Sequence, residues 1–326
     1  MPTALGFLRN RLLAPSLSEV TFEERGFPAA NGAEVSRLES IAQSVVCGFE
    51  WGMGGDDPAE IEYRLNVIDA EFRGFAYEGV TMAFTILDAL RGGRGTRTRD
   101  LLRGPAHPHI FLTYIGIGFA MARLPRVLWK NVLPDLTGSP YYPTMSWLAV
   151  DGYGFDRAFF DTRRWVDEQY VPTPYSWDGA PGYFLRAVDQ GIGRALWFVH
   201  GANVEESAAA VERFAAHRHA DLFSGIGLAA TFAGGASPDD LAKLRVLSGE
   251  HIAEVALGAV FAAKARSYAG FVPSHTELAT TALAELSVTD AAAIADRAGV
   301  AEGDTAAGGE VPAYELWRGR IRARLD

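Results

Sequence analysis

One short pattern occurs six times along the chain and constrains any fold it can adopt. The copies are Glu78-Gly79-Val80-Thr81, Ile115-Gly116-Ile117-Gly118, Asp151-Gly152-Tyr153-Gly154, Gln190-Gly191-Ile192-Gly193, Ser224-Gly225-Ile226-Gly227 and Leu257-Gly258-Ala259-Val260. Their first glycines follow one another at intervals of 37, 36, 39, 34 and 33 residues, a period that marks a repeat architecture. An alanine stands four residues after the glycine at Ala83, Ala120, Ala195, Ala229 and Ala262, whereas the third copy carries Asp156 there. Residues four apart share a helix face, so each unit presents a narrow face of small side chains. Glycine inside a helix costs about 0.5–1 kcal/mol relative to alanine. Six at matched places are therefore expected to be buried at close helix crossings. A nucleotide-binding reading of Gly-x-Gly needs a preceding strand and a third glycine, and these glycines sit in apolar helical runs.

Further helices are expected between the glycine helices, at Ala208 to His217 and at Asp239 to Ser248, the second opened by Ser237-Pro238-Asp239-Asp240. The fold class that follows is all-α, about six helix pairs forming an α/α toroid or a TPR-like helical-repeat superhelix. Residues 1–33 read as an irregular N-terminal segment with a short strand at Glu19-Val20-Thr21-Phe22. Residues 34–300 form the helical-repeat domain, and 301–326 a polar linker (Ala301 to Glu310) with a last helix around Tyr314 to Leu325. Two Pro-, Trp- and Tyr-rich stretches, 125–147 and 162–182, are long enough to serve as lids.

Composition narrows the setting. The single cysteine, Cys47, rules out an internal disulfide and fits a reducing, cytoplasmic compartment. The N-terminus lacks the apolar core and cleavage site of a signal peptide. The longest apolar run, Ile110 to Ala122, is too short to span a bilayer. A net charge of −10 argues against nucleic acid as a partner. A hydrophobic small molecule is the expected ligand, with a homodimer or a biosynthetic partner protein as the expected association.

Acids beside the glycines supply the candidate chemistry. Glu78, Asp151 and Asp189, with Asp221 one helix on, could meet in a central cavity, where burial would raise a carboxyl pKa and make a proton donor. Pairing with an arginine such as Arg194, or helix capping, is the plain alternative. Tyr77, Tyr153, Arg194, Trp197 and Phe223 are candidates to line a greasy pocket, although aromatic stripes at helical spacing also build ordinary cores. Lys264 could neutralise an anionic substrate or form a Schiff base, or simply be a solvated helix lysine. His275-Thr276-Glu277 suits acid–base work or a helix start capped by Ser274.

Asp56-Asp57-Pro58-Ala59-Glu60 is similar to the acidic magnesium–diphosphate motif of ionising terpene synthases, with Asp56, Asp57 and Glu60 as metal candidates, but it also reads as a helix start. The companion motif is off register: Asn203 and Ser207 are followed by Val211, with Glu212 one place late, and an Asn-capped helix explains them. The Asp-x-Asp-Asp acid motif of protonating cyclases is absent. His107/His109 and His217/His219 are two apart and would diverge on a helix. No cofactor is expected, magnesium entering only through the ionising-synthase reading.

Gly74-Phe75-Ala76-Tyr77-Glu78-Gly79, Asp151-Gly152-Tyr153-Gly154-Phe155, Asp189 to Phe198, Ala220 to Gly225 and Phe261 to Arg266, taken in order, make the chain resemble the UnbL-type family of unknown function over roughly residues 5–300. That resemblance implies a place in actinobacterial natural-product biosynthesis, including enediyne clusters. It implies no settled reaction or catalytic residues. Three functions are carried forward: acid-assisted cyclisation or isomerisation of a linear hydrophobic polyene, a non-catalytic scaffold or carrier for a biosynthetic intermediate, and a metal-dependent terpene synthase.

Overall fold

The computed structural model describes residues 16–28, 32–54, 58–92, 95–300 and 311–325. Every regular element among them is helical. The fourteen helices that carry the argument are α1 (Gly32–Gly54), α2 (Pro58–Val67), α3 (Ala70–Ala89), α4 (Arg97–Arg103), α5 (Ile110–Arg123), α6 (Trp147–Phe160), α7 (Phe184–Val199), α8 (Val204–Glu212), α9 (Ala216–Ala233), α10 (Pro238–Leu247), α11 (Ile252–Tyr268), α12 (Ser274–Ala284), α13 (Val288–Arg297) and α14 (Ala313–Arg322). The chain divides into two compact units. Unit 1 is Met1–Phe27 with Ser36–Tyr153, and unit 2 is Pro28–Val35 with Gly154–Asp326. The later boundaries fall inside α1, after Val35, and inside α6, after Tyr153.

The expected strand at Glu19 to Phe22 is instead a 3-10 turn, Ser18–Val20, followed by a helical turn, Phe22–Arg25. Thr21 caps that turn by accepting from the Glu24 N–H, which satisfies a helix-start donor and so selects helix locally. The expected helix at Ala208 to His217 is two helices, because 213–215 break α8 from α9. Asn203 caps α8, accepting from the Glu206 N–H at 2.9 Å. Ser237 caps α10 in the same manner. At α12 the cap position falls on Pro273 and Ser274 is already helical, so Ser274 is not the cap. The expected linker at Ala301 to Glu310 lies outside the described residues.

The repeat glycines are where helix backbones meet, and the Gly-x-Gly spacing has a simple geometric use. Two residues turn a helix by about 200°, so the two glycines face opposite sides. In each case resolved by the contacts, the first glycine packs on the preceding long helix and the second on the following one. Within unit 1, a methyl at Gly152 would fall on the Ile115 carbonyl of α5, and one at Gly118 would fall on the Ala149 carbonyl of α6. Within unit 2, Gly225 meets Gln190 of α7 and Gly227 meets Val255 of α11. Every such site opposes backbone rather than a movable side chain. The Cα–H groups point at carbonyl oxygens, a contact worth about 0.5–1 kcal/mol each. The alanines four residues on, Ala83, Ala120, Ala195, Ala229 and Ala262, are all buried.

Unit 1 builds a row of α1, α3, α5 and the first turns of α6, with α2 and α4 packed on α3. Unit 2 has two layers: an inner row of α7, α9, α11 and α13, and an outer row of α8, α10 and α12. The long stretches 125–147 and 162–182 are anchored by buried Trp129, Trp165 and Trp177. The Trp129 indole N–H donates to the Met121 carbonyl at 3.0 Å. No single helix among the described residues is long and apolar enough to cross a membrane.

Candidate functional site

The glycine contacts fix a common register. The first glycine of α5, α6, α9 and α11 rests on the carbonyl of Glu78, Ile115, Gln190 and Ser224 respectively, in each case the residue just before the preceding helix's first glycine. Positions four before, one before and three after that glycine therefore fall on one equivalent face of each long helix. In unit 2 this face comprises Ala187, Gln190 and Arg194 of α7, Asp221, Ser224 and Leu228 of α9, and Glu254, Leu257 and Phe261 of α11.

The C-terminal helix α14 occupies much of that face. Arg318 donates to the Ser224 hydroxyl at 3.2 Å and to Asp221 at 3.4 Å. Arg322 donates to Glu254 at 3.2 Å and to Glu315 at 2.5 Å. Arg186 donates to Asp221 at 2.8 Å and to Glu315 at 3.2 Å. The Tyr183 hydroxyl donates to Glu315 at 2.7 Å and accepts from the Gln190 amide at 3.0 Å. Trp317 packs edge-on against Phe261, with ring centroids 5.0 Å apart, and its N–H donates to the Ala295 carbonyl at 2.9 Å.

Three guanidinium groups thus face three carboxylates, Asp221, Glu254 and Glu315. Burial opposes charge on Glu315, yet Arg318, Arg186 and Arg322 hold its carboxyl down at about 2. Burial likewise works against the charges of Arg186 and Arg318, but Asp221 and Glu315 raise Arg186, and Tyr183 with Glu315 raises Arg318, above the usual guanidinium range. The Tyr183 hydroxyl is pushed well up, chiefly by burial. Desolvation offsets much of the Coulomb gain of such a buried network.

The other expected site residues separate into two groups. In unit 2, Asp189 takes a bidentate guanidinium from Arg218, with the shortest contact 2.6 Å. Burial raises the Asp189 pKa against that partner, and Asp221 adds to the rise. Arg194 stacks over Phe155 at 4.9 Å. The Trp197 indole donates to the Gly234 carbonyl at 2.8 Å, and Phe223 stacks on His251 with centroids 5.5 Å apart. Lys264 is buried and bonds to Asp296 at 2.6 Å, so it is not a solvated lysine. His219 lies 2.7 Å from the Phe214 carbonyl, and His275 lies 3.2 Å from the Phe232 carbonyl.

In unit 1 the same register carries different chemistry. Phe75, Glu78 and Met82 of α3, Leu112, Ile115 and Phe119 of α5, and Leu148 and Asp151 of α6 give an apolar, aromatic face with two acids. Glu78 and Asp151 are 3% and 1% exposed. Beside them, burial pushes the Tyr77 hydroxyl up to about 12, and the ring stacks on His109 with centroids 5.0 Å apart. Tyr153 meets Trp129 edge-on at 4.9 Å. Glu60 is exposed and pairs with Arg64 on its own helix at 2.6 Å. Asp56 and Asp57 lie outside the described residues. Among the described residues no three His, Cys, Asp or Glu converge as a metal set.

The sequence reading did not single out Tyr183, Arg186, Gln190, Glu254, Glu315, Arg318 or Arg322. Their signal was present as Glu315, Arg318 and Arg322 at helical spacing beside Tyr314, Trp317 and Ile321. That pattern marks a two-sided helix but does not name the surface it docks on. A family model described as a protein of unknown function (DUF1702) matches residues 4–325. No curated protein and no solved structure matches the chain.

Proposed function

The chain belongs to the family of unknown function DUF1702, and we propose that it is a natural-product biosynthesis enzyme that binds a linear hydrophobic polyene along the unit 1 face and promotes its cyclisation or isomerisation, with Glu78 and Asp151 as the acids. The observation that carries this reading is the contrast between register-equivalent faces. In unit 2 the face is polar and bonded to α14, whereas in unit 1 it is aromatic and aliphatic with two buried carboxylates. All the residues of this face are buried, and an apolar lining with few polar groups suits a hydrocarbon chain.

In the reaction, a carboxylic acid adds its proton to one alkene carbon. The resulting cation is attacked by a second double bond, or relaxes to an isomer. The conjugate carboxylate then removes a proton from the product, so no co-reactant is consumed. Aromatic faces such as Phe75 and Phe119 would stabilise the cation. Asp189 and Asp221 lie in unit 2 and not on this face, so they are assigned no part in this step. The test is incubation with C20 and C25 prenyl diphosphates and with neutral polyene extracts, read by mass spectrometry. A new product that disappears in Glu78→Gln or Asp151→Asn is expected, and its absence with every substrate would sink the reading.

A scaffold or carrier is the second reading, and the engagement of Asp189 and Asp221 in packing supports it. It predicts a bound intermediate recovered unchanged, with or without Glu78. The metal-dependent reading rests on Asp56 and Asp57, and product formation that requires added magnesium is its test.

A further inference from the structure

Helix α10 has two apolar faces. Leu241 and Leu244 are buried. Asp239, Ala242, Lys243, Val246 and Leu247, spaced i, i+3, i+4, i+7 and i+8, instead line an open groove of about 410 Å³ shared with Glu205 of α8. Val246 is 80% exposed and Leu247 40%. An outer-layer helix normally turns polar residues to water, but here Ala242, Val246 and Leu247 form an apolar strip about 8 Å long on that side, bordered by the charged Asp239, Lys243 and Glu205.

We propose that this groove accepts an amphipathic helix of a partner protein, antiparallel to α10, with Lys or Arg in the last turn of the incoming helix. Charge fixes both the direction and the ending. Lys243 bonds to Asp240 at 3.0 Å and to Glu205 at 3.4 Å. One lysine thus serves two acids, and Asp239 adds a further negative charge at the same end. A helix arriving antiparallel brings its C-terminal turn to that end, where cationic side chains complement both its own dipole and the acidic rim. Its apolar stripe then lies on Ala242, Val246 and Leu247. The recognition mode is helix-in-groove, and the inference stands independently of the ligand proposed for unit 1.

The test uses the full chain and three labelled helical peptides of about 18 residues that share one Leu/Ala stripe. The first ends in two lysines, the second carries them in its first turn, and the third ends in two glutamates. Fluorescence anisotropy should show the first binding roughly tenfold more tightly than the others and weakening as salt rises. Val246→Asp, at an exposed position, should reduce that binding roughly tenfold with an unchanged far-UV CD spectrum. Equal binding of the three peptides, or full binding by Val246→Asp, would overturn the proposal. A dimer of the full chain that Val246→Asp dissociates would also overturn it, by assigning the groove to a second copy.

Discussion

Gly225→Ala isolates the close-packing role of the repeat, because the same substitution in an ordinary helix is stabilising. A methyl at Gly225 would fall on the Gln190 carbonyl and stand 2.7 Å from the Arg194 backbone nitrogen. Both neighbours are main chain of α7, so neither can rotate away. Restoring ordinary contact requires α7 and α9 to part by about 1 Å. A gap of that size forfeits up to half of the roughly 0.1–0.2 kcal/mol held by each atom pair. Over about 40 pairs along the crossing the loss is about 2–4 kcal/mol. Better helix propensity returns about 1 kcal/mol, leaving a net destabilisation of about 1–3 kcal/mol, within the range seen for overpacking. Urea unfolding followed by far-UV CD should show a lower midpoint with an unchanged slope. Gly319→Ala, in α14 with only the Arg322 guanidinium 3.7 Å away, should instead stabilise by up to about 1 kcal/mol. Gly193→Ala with Gly225→Ala should cost less than the sum of the singles, since one separation serves both. A neutral or stabilising Gly225→Ala would refute the reasoning.

Three further outcomes follow from the buried polar groups. Asp189→Asn leaves the Arg218 guanidinium without its anion and should cost about 3–5 kcal/mol, whereas Asp189→Leu with Arg218→Met should cost less than either single change, as checked by urea titration. Glu315 has its folded pKa depressed from 4.5 to about 2, so its contribution of roughly 3 kcal/mol is present above pH 4.5 and is lost as pH falls towards 2. Trp317 fluorescence, with Glu315→Gln abolishing that step, is the readout. Trp197→Phe leaves the buried Gly234 carbonyl unpaired and should lower stability by about 1–3 kcal/mol without changing polyene binding.

The helical class and the burial of the glycines were legible because both follow from local rules: spacing on a 3.6-residue helix and the absence of a side chain at a crossing. The use of Gly-x-Gly as a two-faced contact was equally present in Gly225 and Gly227, but it becomes visible only when the Gln190 and Val255 carbonyls are seen opposite them. The unit division at Tyr153/Gly154 falls within α6, so no linker composition marks it. The partners of the acids were the least legible. Arg318 lies 97 residues from Asp221 in sequence, and no local pattern joins them. The helix break between α8 and α9 was missed because Arg213-Phe214-Ala215 contains neither Gly nor Pro.

Photo-crosslinking tests the central claim most directly: a neutral linear polyene bearing a diazirine is irradiated with the full chain, and the labelled peptides are mapped by mass spectrometry. Label is expected to concentrate on α3 and α5, within Ala70–Ala89 and Ile110–Arg123, and to be competed away by unlabelled polyene. Label spread evenly over the chain, or concentrated on α7, α9 and α11, would contradict it.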